Sequence, residues 1–486
     1  MNNYIPTLIT ENAGMSRVQQ VFQSFIEAIR EQRIRPGDKL ASVRVCAQTF
    51  KISPSTIVAA FERMKEEGFI ESQRGSGFYL TENFQSRREG RSPSSGASSR
   101  SKKIELPIDD SWLLANVYRA DNTDYHSVGC GWLPPDWYAQ PEISKALRDT
   151  SRNEQFIDYG YGNPYGNTEL RRHIAHLLSE RSMNVQCDNI LLTSGASRAL
   201  DLVASAFLNT GDTVLVDEPG YCNFLSSMLG KQIKLIGVKW TAEGPDTQQM
   251  EKILEKENVR FYFTNPWLHN PTGASISLSV AHRLLTLAER FQVTVVEDNV
   301  SGDLLNPGTV TLSSLAGLER VIHISSFSKS VSPGLRVGYV VSSPVTLNRL
   351  MQYKMMSGLT SSSLSEQITL NVLKQSAYKK HLKQIRNRLS NAQHEVCRFL
   401  KEINWEVFCE PNGGFYVYSR PRNVAIDSRS IAEEAKKVGL LFAPGYLFHP
   451  EHSRSTWIRF NVAFFLEKQQ HLYPFLRRIS LASYPK

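Results

Sequence analysis

The sequence predicts two folded units in series: a small α+β head, then a larger α/β body built on a mainly parallel sheet. Three observations carry this. The first 84 residues hold three helix-period stretches followed by two short β-rich runs. Residues 85–107 are rich in Ser, Gly and Arg and almost devoid of apolar side chains. From residue 108 onward, strand-like and helix-like stretches alternate, as in a parallel sheet covered by helices. The expected boundaries are 10–84 for the head, 85–107 for a flexible tether and 108–486 for the body.

Composition sets the frame. The chain has 486 residues, 41% hydrophobic and 21% charged, which is ordinary for a soluble globular protein of two or three domains. Its formal charge is +9, unevenly spread. Residues 1–104 hold 16 Lys and Arg against 10 Asp and Glu, while the remainder holds 40 against 37. That asymmetry suggests a nucleic-acid-facing head on a nearly neutral body. The six cysteines (46, 130, 187, 222, 397 and 409) form no Cys-x-x-Cys pair, so neither a zinc site nor a disulfide framework is expected. With no basic-then-apolar leader and no apolar run of membrane length, a reducing cytoplasm is the expected location.

In the head, Val18, Val21, Phe22, Phe25, Ile26 and Ile29 fall on one helical face, with Ser16 as cap. Pro36-Gly37 ends that helix. Val45, Ala47 and Phe50 follow at helical spacing. Ser53-Pro54 then opens a third helix, with Ser53 as cap and Pro54 at its first position. Val58, Ala60, Phe61 and Met64 are its expected buried side. Phe69–Ser72 and Phe78–Leu80 read as a hairpin around Arg74-Gly75-Ser76-Gly77. Three helices and a hairpin make a winged helix-turn-helix, whose third helix enters the major groove of double-stranded DNA by its N-terminal end. Ser53, Ser55 and Thr56 stand there, Arg44 precedes them, and Arg74 and Gly75 form the wing tip. In the tether, Arg87, Arg88, Arg91, Arg100, Lys102 and Lys103 can add unspecific phosphate contacts, or serve only as solvated charge.

In the body, the most informative stretch follows the apolar run Val321–Ile324. It reads Ser325-Ser326-Phe327-Ser328-Lys329-Ser330-Val331-Ser332-Pro333-Gly334-Leu335-Arg336-Val337-Gly338-Tyr339. A buried lysine loses its proton easily and can form a Schiff base with an aldehyde. Nearby hydroxyls and an arginine suit a phosphate. Together they suggest pyridoxal 5′-phosphate (PLP). The bland alternative is a surface Ser/Lys loop. Other strand ends carry matching groups. Asn189–Leu192 leads into Thr193-Ser194-Gly195-Ala196-Ser197, a glycine turn opening a helix, which is an anion site or an ordinary cap. Thr213–Val216 leads to Tyr221, which can stack on a flat ring. Phe261–Phe263 leads to His269-Asn270-Pro271-Thr272-Gly273, and Val293–Val296 to Glu297-Asp298. A carboxylate there can keep a pyridine nitrogen protonated. All lie after strands, where an open α/β sheet forms its ligand crevice.

The head resembles the GntR family of bacterial regulators. The resemblance lies in Pro36-Gly37-Asp38-Lys39-Leu40, Ser42-Val43-Arg44, Ser53-Pro54-Ser55-Thr56, and Glu67-Gly68-Phe69-Ile70 through Gly75-Ser76-Gly77-Phe78. Ala41 stands where that family usually has proline, which weakens a helix start. Residues 125–480 resemble fold-type I PLP enzymes, the aspartate aminotransferase superfamily, with a large domain and a small C-terminal α/β domain. That resemblance implies roles. Lys329 is the Schiff-base lysine, Asp298 the partner of the pyridine nitrogen, Asn270 the donor to the phenolic oxygen, and Tyr221 the stacking ring. Gly195, Ala196, Ser197, Ser326 and Arg336 bind the phosphate. Tyr161, in Tyr161-Gly162-Asn163-Pro164-Tyr165-Gly166, reaches the neighbouring subunit's phosphate, and Arg459 grips a substrate α-carboxylate. Gly413-Gly414-Phe415 and Pro444-Gly445-Tyr446-Leu447-Phe448 match the family's small-domain strand and substrate loop.

One departure stands out. The family usually places a tyrosine two or three residues after the aspartate, and this chain has Val300 and Ser301. Slower transamination follows from its loss. Head, tether and body in this order resemble the MocR subfamily, which implies a homodimer. The leading expectation is a transcriptional regulator that senses PLP, or an amino acid or amine reacting with it. The alternatives are a working aminotransferase with a secondary head, and a PLP-free body that serves only as a dimerisation scaffold.

Overall fold

The computed structural model describes residues 5–6, 16–30, 33–34, 37–66, 69–73, 77–81, 125–152, 160–410, 413–422 and 426–481. Arg74, Gly75 and the tether lie outside the described residues. The chain divides into two compact units, Met1–Glu105 and Leu106–Lys486.

The first unit holds helices α1 (Arg17–Arg30), α2 (Val43–Phe50) and α3 (Pro54–Glu66) and strands β1 (Ile70–Gln73) and β2 (Gly77–Leu80). The strands pair antiparallel, Ile70 beside Leu80. Ser16 caps α1 through a 3.3 Å bond from Gln19 N–H. Ser42 caps α2, accepting from Val45 N–H, so the helix starts without the family's proline. The core is aromatic. Phe25 and Phe61 meet edge to face at 5.3 Å, and Phe61 meets Phe78 at 5.1 Å. Two expected core positions are corrected. Val45 and Val58 are exposed, while Cys46 and Ile57 are buried. Starting α2 at Val43 puts Cys46, Ala47 and Phe50 on one face, and α3 buries Ile57, Ala60, Phe61 and Met64 at the 3.6-residue period.

The second unit begins with a two-residue strand, β3 (His126–Ser127). Eight strands then form its large sheet: β4 (Ile190–Thr193), β5 (Thr213–Glu218), β6 (Lys234–Thr241), β7 (Gly244–Pro245), β8 (Phe261–Thr264), β9 (Thr294–Asp298), β10 (Val321–Ser326) and β11 (Gly338–Val341). Their order is β4-β11-β10-β9-β8-β5-β6-β7. From β10 through to β6 neighbours are parallel, and β11 runs against both β10 and β4. Alternate residues bury on opposite faces. Val214, Val216, Phe261 and Phe263 join one cluster, while Leu215 and Tyr262 join the other. Both faces are therefore covered, which explains the near-continuous apolar runs read in the sequence.

A smaller sheet follows, of β12 (Trp405–Val407), β13 (Tyr416–Pro421), β15 (Ala443–Pro444) and β16 (Ile458–Asn461), in the order β12-β13-β16-β15. Between them, β14 (Leu440–Leu441) pairs with β3. Among the described residues no helix is long and apolar enough to cross a membrane.

Candidate cofactor site and DNA-facing helix

Strand register assembles the body's site. Ile324 of β10 lies beside Asp298 of β9, and Ser326 lies beside Gly338, which lies beside Thr193. The loops leaving β4, β9 and β10 and the loop entering β11 therefore share one end of the sheet. Gly338 must be glycine there, because a Cβ would stand 2.6 Å from the Gly195 carbonyl carbon. The cavity at this end is lined by Ala196, Ser197, Tyr221, Asn270, Asp298 and Lys329, with Val300, Ser301, Phe415 and Tyr416 among its other walls.

The phosphate-side residues sit at the start of the helix Ala196–Phe207. Gly195 is its N-cap, with φ +90° and no side-chain cap. Its backbone shape requires glycine, and a Cβ would in addition displace the Arg336 guanidinium, whose Nη2 it would meet at 2.6 Å. Arg336, itself left-handed with φ +53°, donates to Ser194 O. Ser197 Oγ is 3.2 Å from the Tyr221 hydroxyl. Ser326 is buried and bonded to Ser328 Oγ and Val337 O, so it braces the lysine loop rather than lining the cavity.

Lys329 and Asp298 have opposed electrostatics. Burial is the main cause in both. It lowers the Lys329 ammonium to about 8, helped by nearby Arg459 and Arg336. It raises the Asp298 carboxyl to about 7, although Val300 N–H and Lys329 pull the other way. Asp298 Oδ1 accepts Val300 N–H at 3.1 Å. The Lys329 amine donates to the Gly131 carbonyl.

Arg459 is buried on β16, where its Nη1 donates to Asn270 Oδ1 at 2.6 Å and its guanidinium lies 4.5 Å from the Tyr416 ring. The bond to Asn270 uses the amide oxygen and leaves the amide NH₂ to donate elsewhere. Tyr161 is not brought to this cavity. It is 76% exposed, and its carbonyl accepts Thr360 Oγ1. Ser301 lines the cavity at the position where the family's tyrosine is missing.

Several supporting residues escaped the sequence reading. Asn265 donates to the Asp298 carbonyl at 2.6 Å and accepts Asn270 N–H at 2.7 Å, so one amide sets both neighbours. Asp217 in turn accepts Asn265 N–H and the Tyr262 hydroxyl, with His269 Nε2 at 3.4 Å and Trp240 stacked on His269 at 3.8 Å. Lys354, buried, donates to Pro164 O, Leu192 O and Ser361 Oγ, tying the Tyr161 loop to the end of β4. The only signal for Asn265 and Asp217 was their place at strand ends. Lys354 gave none, because a helical lysine usually points to water.

On the head, Ser53 and Ser55 are exposed at the start of α3, Thr56 is half-buried, and Arg44 is exposed on α2. Ser53 Oγ accepts Thr56 N–H and also meets Ser55 Oγ at 2.9 Å and Thr56 Oγ1 at 2.8 Å.

Comparison with known proteins agrees with this geometry. Residues 138–471 match the model of the family "Aminotransferase class I and II", whose fold is PLP-dependent, and residues 17–80 match "Bacterial regulatory proteins, gntR family". The HTH-type transcriptional regulator NorG of Staphylococcus aureus (strain NCTC 8325 / PS 47) is 26% identical over 433 residues, covering 88% of this chain and 95% of NorG. The uncharacterized HTH-type transcriptional regulator YdfD of Bacillus subtilis (strain 168) is 27% identical, covering 93% of each. Among solved structures, the kynurenine aminotransferase of Pyrococcus horikoshii superposes with a TM-score of 0.70 at 25% identity, over 79% of this chain and 98% of its own. The multiple substrate aminotransferase of Thermococcus profundus gives 0.69 at 23%, over 78% and 94%. The order of the two matches is that of the MocR architecture. The chain belongs to the aminotransferase class I and II family and carries, ahead of that body, a DNA-binding head of the gntR family.

Proposed function

We propose that this protein is a cytoplasmic, homodimeric transcriptional regulator whose body holds PLP on Lys329 and senses an amino acid or amine. The observation that carries this is the union in one chain of a gntR-family head with a cavity lined by Lys329, Asp298, Tyr221 and Asn270. Relatives of nearly the same span, NorG and YdfD, bear the name of HTH-type transcriptional regulators.

The residues fit the cofactor on chemical grounds. Asp298 is a buried carboxyl whose ionised form is compensated only in part, by Val300 N–H and Lys329, and a ring N–H would add to that. Gly195 leaves an uncapped helix end beside Arg336, a cradle for a phosphate that a Cβ would fill. When bound, PLP supplies an aldehyde and an electron-withdrawing ring. The chain's residues do the rest. Burial eases the proton from the Lys329 amine and makes it a nucleophile near neutral pH. Tyr221 would cover the ring, and the Asn270 amide, its oxygen held by Arg459, would donate to the phenolic oxygen. Ala196, Ser197 and Arg336 would hold the phosphate, and Ser326 would brace the lysine loop. Tyr161, exposed on its own chain, serves the neighbouring subunit. Arg459 meets the α-carboxylate of the amino compound by a bidentate fork.

Arg44, Ser53, Ser55, Thr56, Arg74 and Gly75 face the operator. Phosphate contacts there set register, and base contacts set sequence. A ligand changes DNA affinity only through its differential affinity for two states of the protein. Footprinting on the DNA upstream of the protein's own gene, at fixed salt, tests the reading. Protection that changes with PLP or one amino compound is expected. Unchanged protection across the panel counts against sensing.

A second reading, a working aminotransferase, has in its favour that Lys329, Asp298, Asn270 and Arg459 are all present. Ser301 speaks against it, being too short to reach as a tyrosine would. Multiple-turnover production of a keto acid distinguishes the two.

A further inference from the structure

Away from the Lys329 cavity, the body carries a second and larger hollow of about 830 Å³. It lies between the helix Thr168–Ser179, the turn after β9, and the start of the long helix Ser376–Glu402. That volume suits a small organic molecule. Buried Leu305, Leu373 and Leu382 supply apolar wall.

The charge on its walls is one-sided. Arg181, Lys379, Lys383 and Arg386 face two carboxylates, Glu180 and Asp303, while Lys374 is paired outside the lining with Glu169 at 3.0 Å. Both carboxylates are already committed. Asp303 accepts from Arg181 at 3.2 Å, from the Tyr378 hydroxyl at 3.1 Å and from Ser330 Oγ at 2.7 Å. Glu180 is shared between Lys379 at 2.9 Å and His176 at 3.7 Å. Arg386 donates only to the neutral carbonyl of Asp303 among the described residues. Lys383 has no carboxylate partner among them. Positive charge is thus in surplus around an apolar wall, which is the complement of an organic dianion.

We infer that this hollow is a second ligand site, which takes a small phosphorylated organic compound. Lys383 and Arg386 meet the phosphate, Lys379 adds its charge from its pair with Glu180, and the leucines meet the body of the molecule. The site is not isolated from the first. Asp303, in its wall, holds Ser330, the neighbour of Lys329.

The test is calorimetric titration of the full-length protein, as purified, with phenyl phosphate at low fixed salt. This probe has a dianionic phosphate and an apolar ring, and no aldehyde for Lys329. Saturable binding with Kd on the order of 1 mM or tighter is expected. The double variant Lys379→Glu, Lys383→Glu, at exposed positions, should weaken it at least about tenfold. Arg336→Ala should leave it within about twofold, because Arg336 belongs to the other cavity. Single Lys383→Gln should weaken it about threefold, with far-UV circular dichroism unchanged. Binding indifferent to the lysine changes, binding lost in Arg336→Ala, or no saturable heat would each overturn the assignment.

Discussion

The two units each present a helix N-terminus to a prospective anion, and they prepare it in opposite ways. At the start of α3, Ser53 caps the helix and bonds Ser55 and Thr56, on an exposed surface. At Ala196, the cap is a glycine that contributes no side chain, and the helix end opens onto a cavity beside Lys329. The first terminus is satisfied before anything binds and can exchange its hydroxyl partners for phosphates or base edges. The second leaves its N–H groups for one fixed occupant. A surface that reads many sequences gains from adaptable hydroxyls, while a resident cofactor gains from a preformed cradle.

The largest effect expected from breaking this contrast is at Gly195. Gly195→Ala places a methyl 2.6 Å from Arg336 Nη2 on a backbone at φ +90°. PLP affinity should fall by about two orders of magnitude, with DNA affinity in the absence of PLP unchanged. Equilibrium dialysis against PLP and a salt-matched DNA titration check the two halves. Next comes Asp298. Its folded value of about 7 lies above its ordinary one. The native state therefore binds more protons than the unfolded chain between about pH 4 and 7. Stability of the PLP-free protein should fall as pH rises through that window, by a few kcal/mol at most. Asp298→Asn should flatten the fall, as read from urea midpoints at several pH values. Bound PLP should flatten it too, by partnering the carboxylate.

The smaller effects lie in the head. Ser53→Ala should cost about 1 kcal/mol of helix capping, seen as a lower urea midpoint for the head's transition. It should also weaken DNA binding. Arg44→Ala should leave stability unchanged and reduce the slope of log affinity against log salt by about 1.

Much of this organisation was legible in the sequence, for a physical reason. Strands buried on both faces are short apolar runs, so their ends stand out, and a ligand crevice collects those ends. Lys329, Asp298, Tyr221 and the 195–197 turn follow such strands in the sequence, while Asn270 was singled out by the family resemblance. Residues that act by bracing gave little signal. Asn265 and Asp217 became visible only when β5 and β8 lay side by side, and Lys354 only when its helix crossed the Pro164 and Leu192 carbonyls. In the head, the errors at Val45 and Val58 were errors of helical phase. Cys46 and Ile57 lie one residue away, and one residue turns a helix by about 100°. The hollow beside Asp303 had no sequence signature, because Arg181 and the cations of 374–386 lie far apart in the chain.

The most direct test of the central claim is the affinity of one operator fragment for wild-type protein and for Lys329→Ala, each with and without PLP at fixed salt. The account predicts that PLP changes the wild-type affinity and leaves the Lys329→Ala affinity where it was. Equal responses in the two proteins, or none in either, would contradict it.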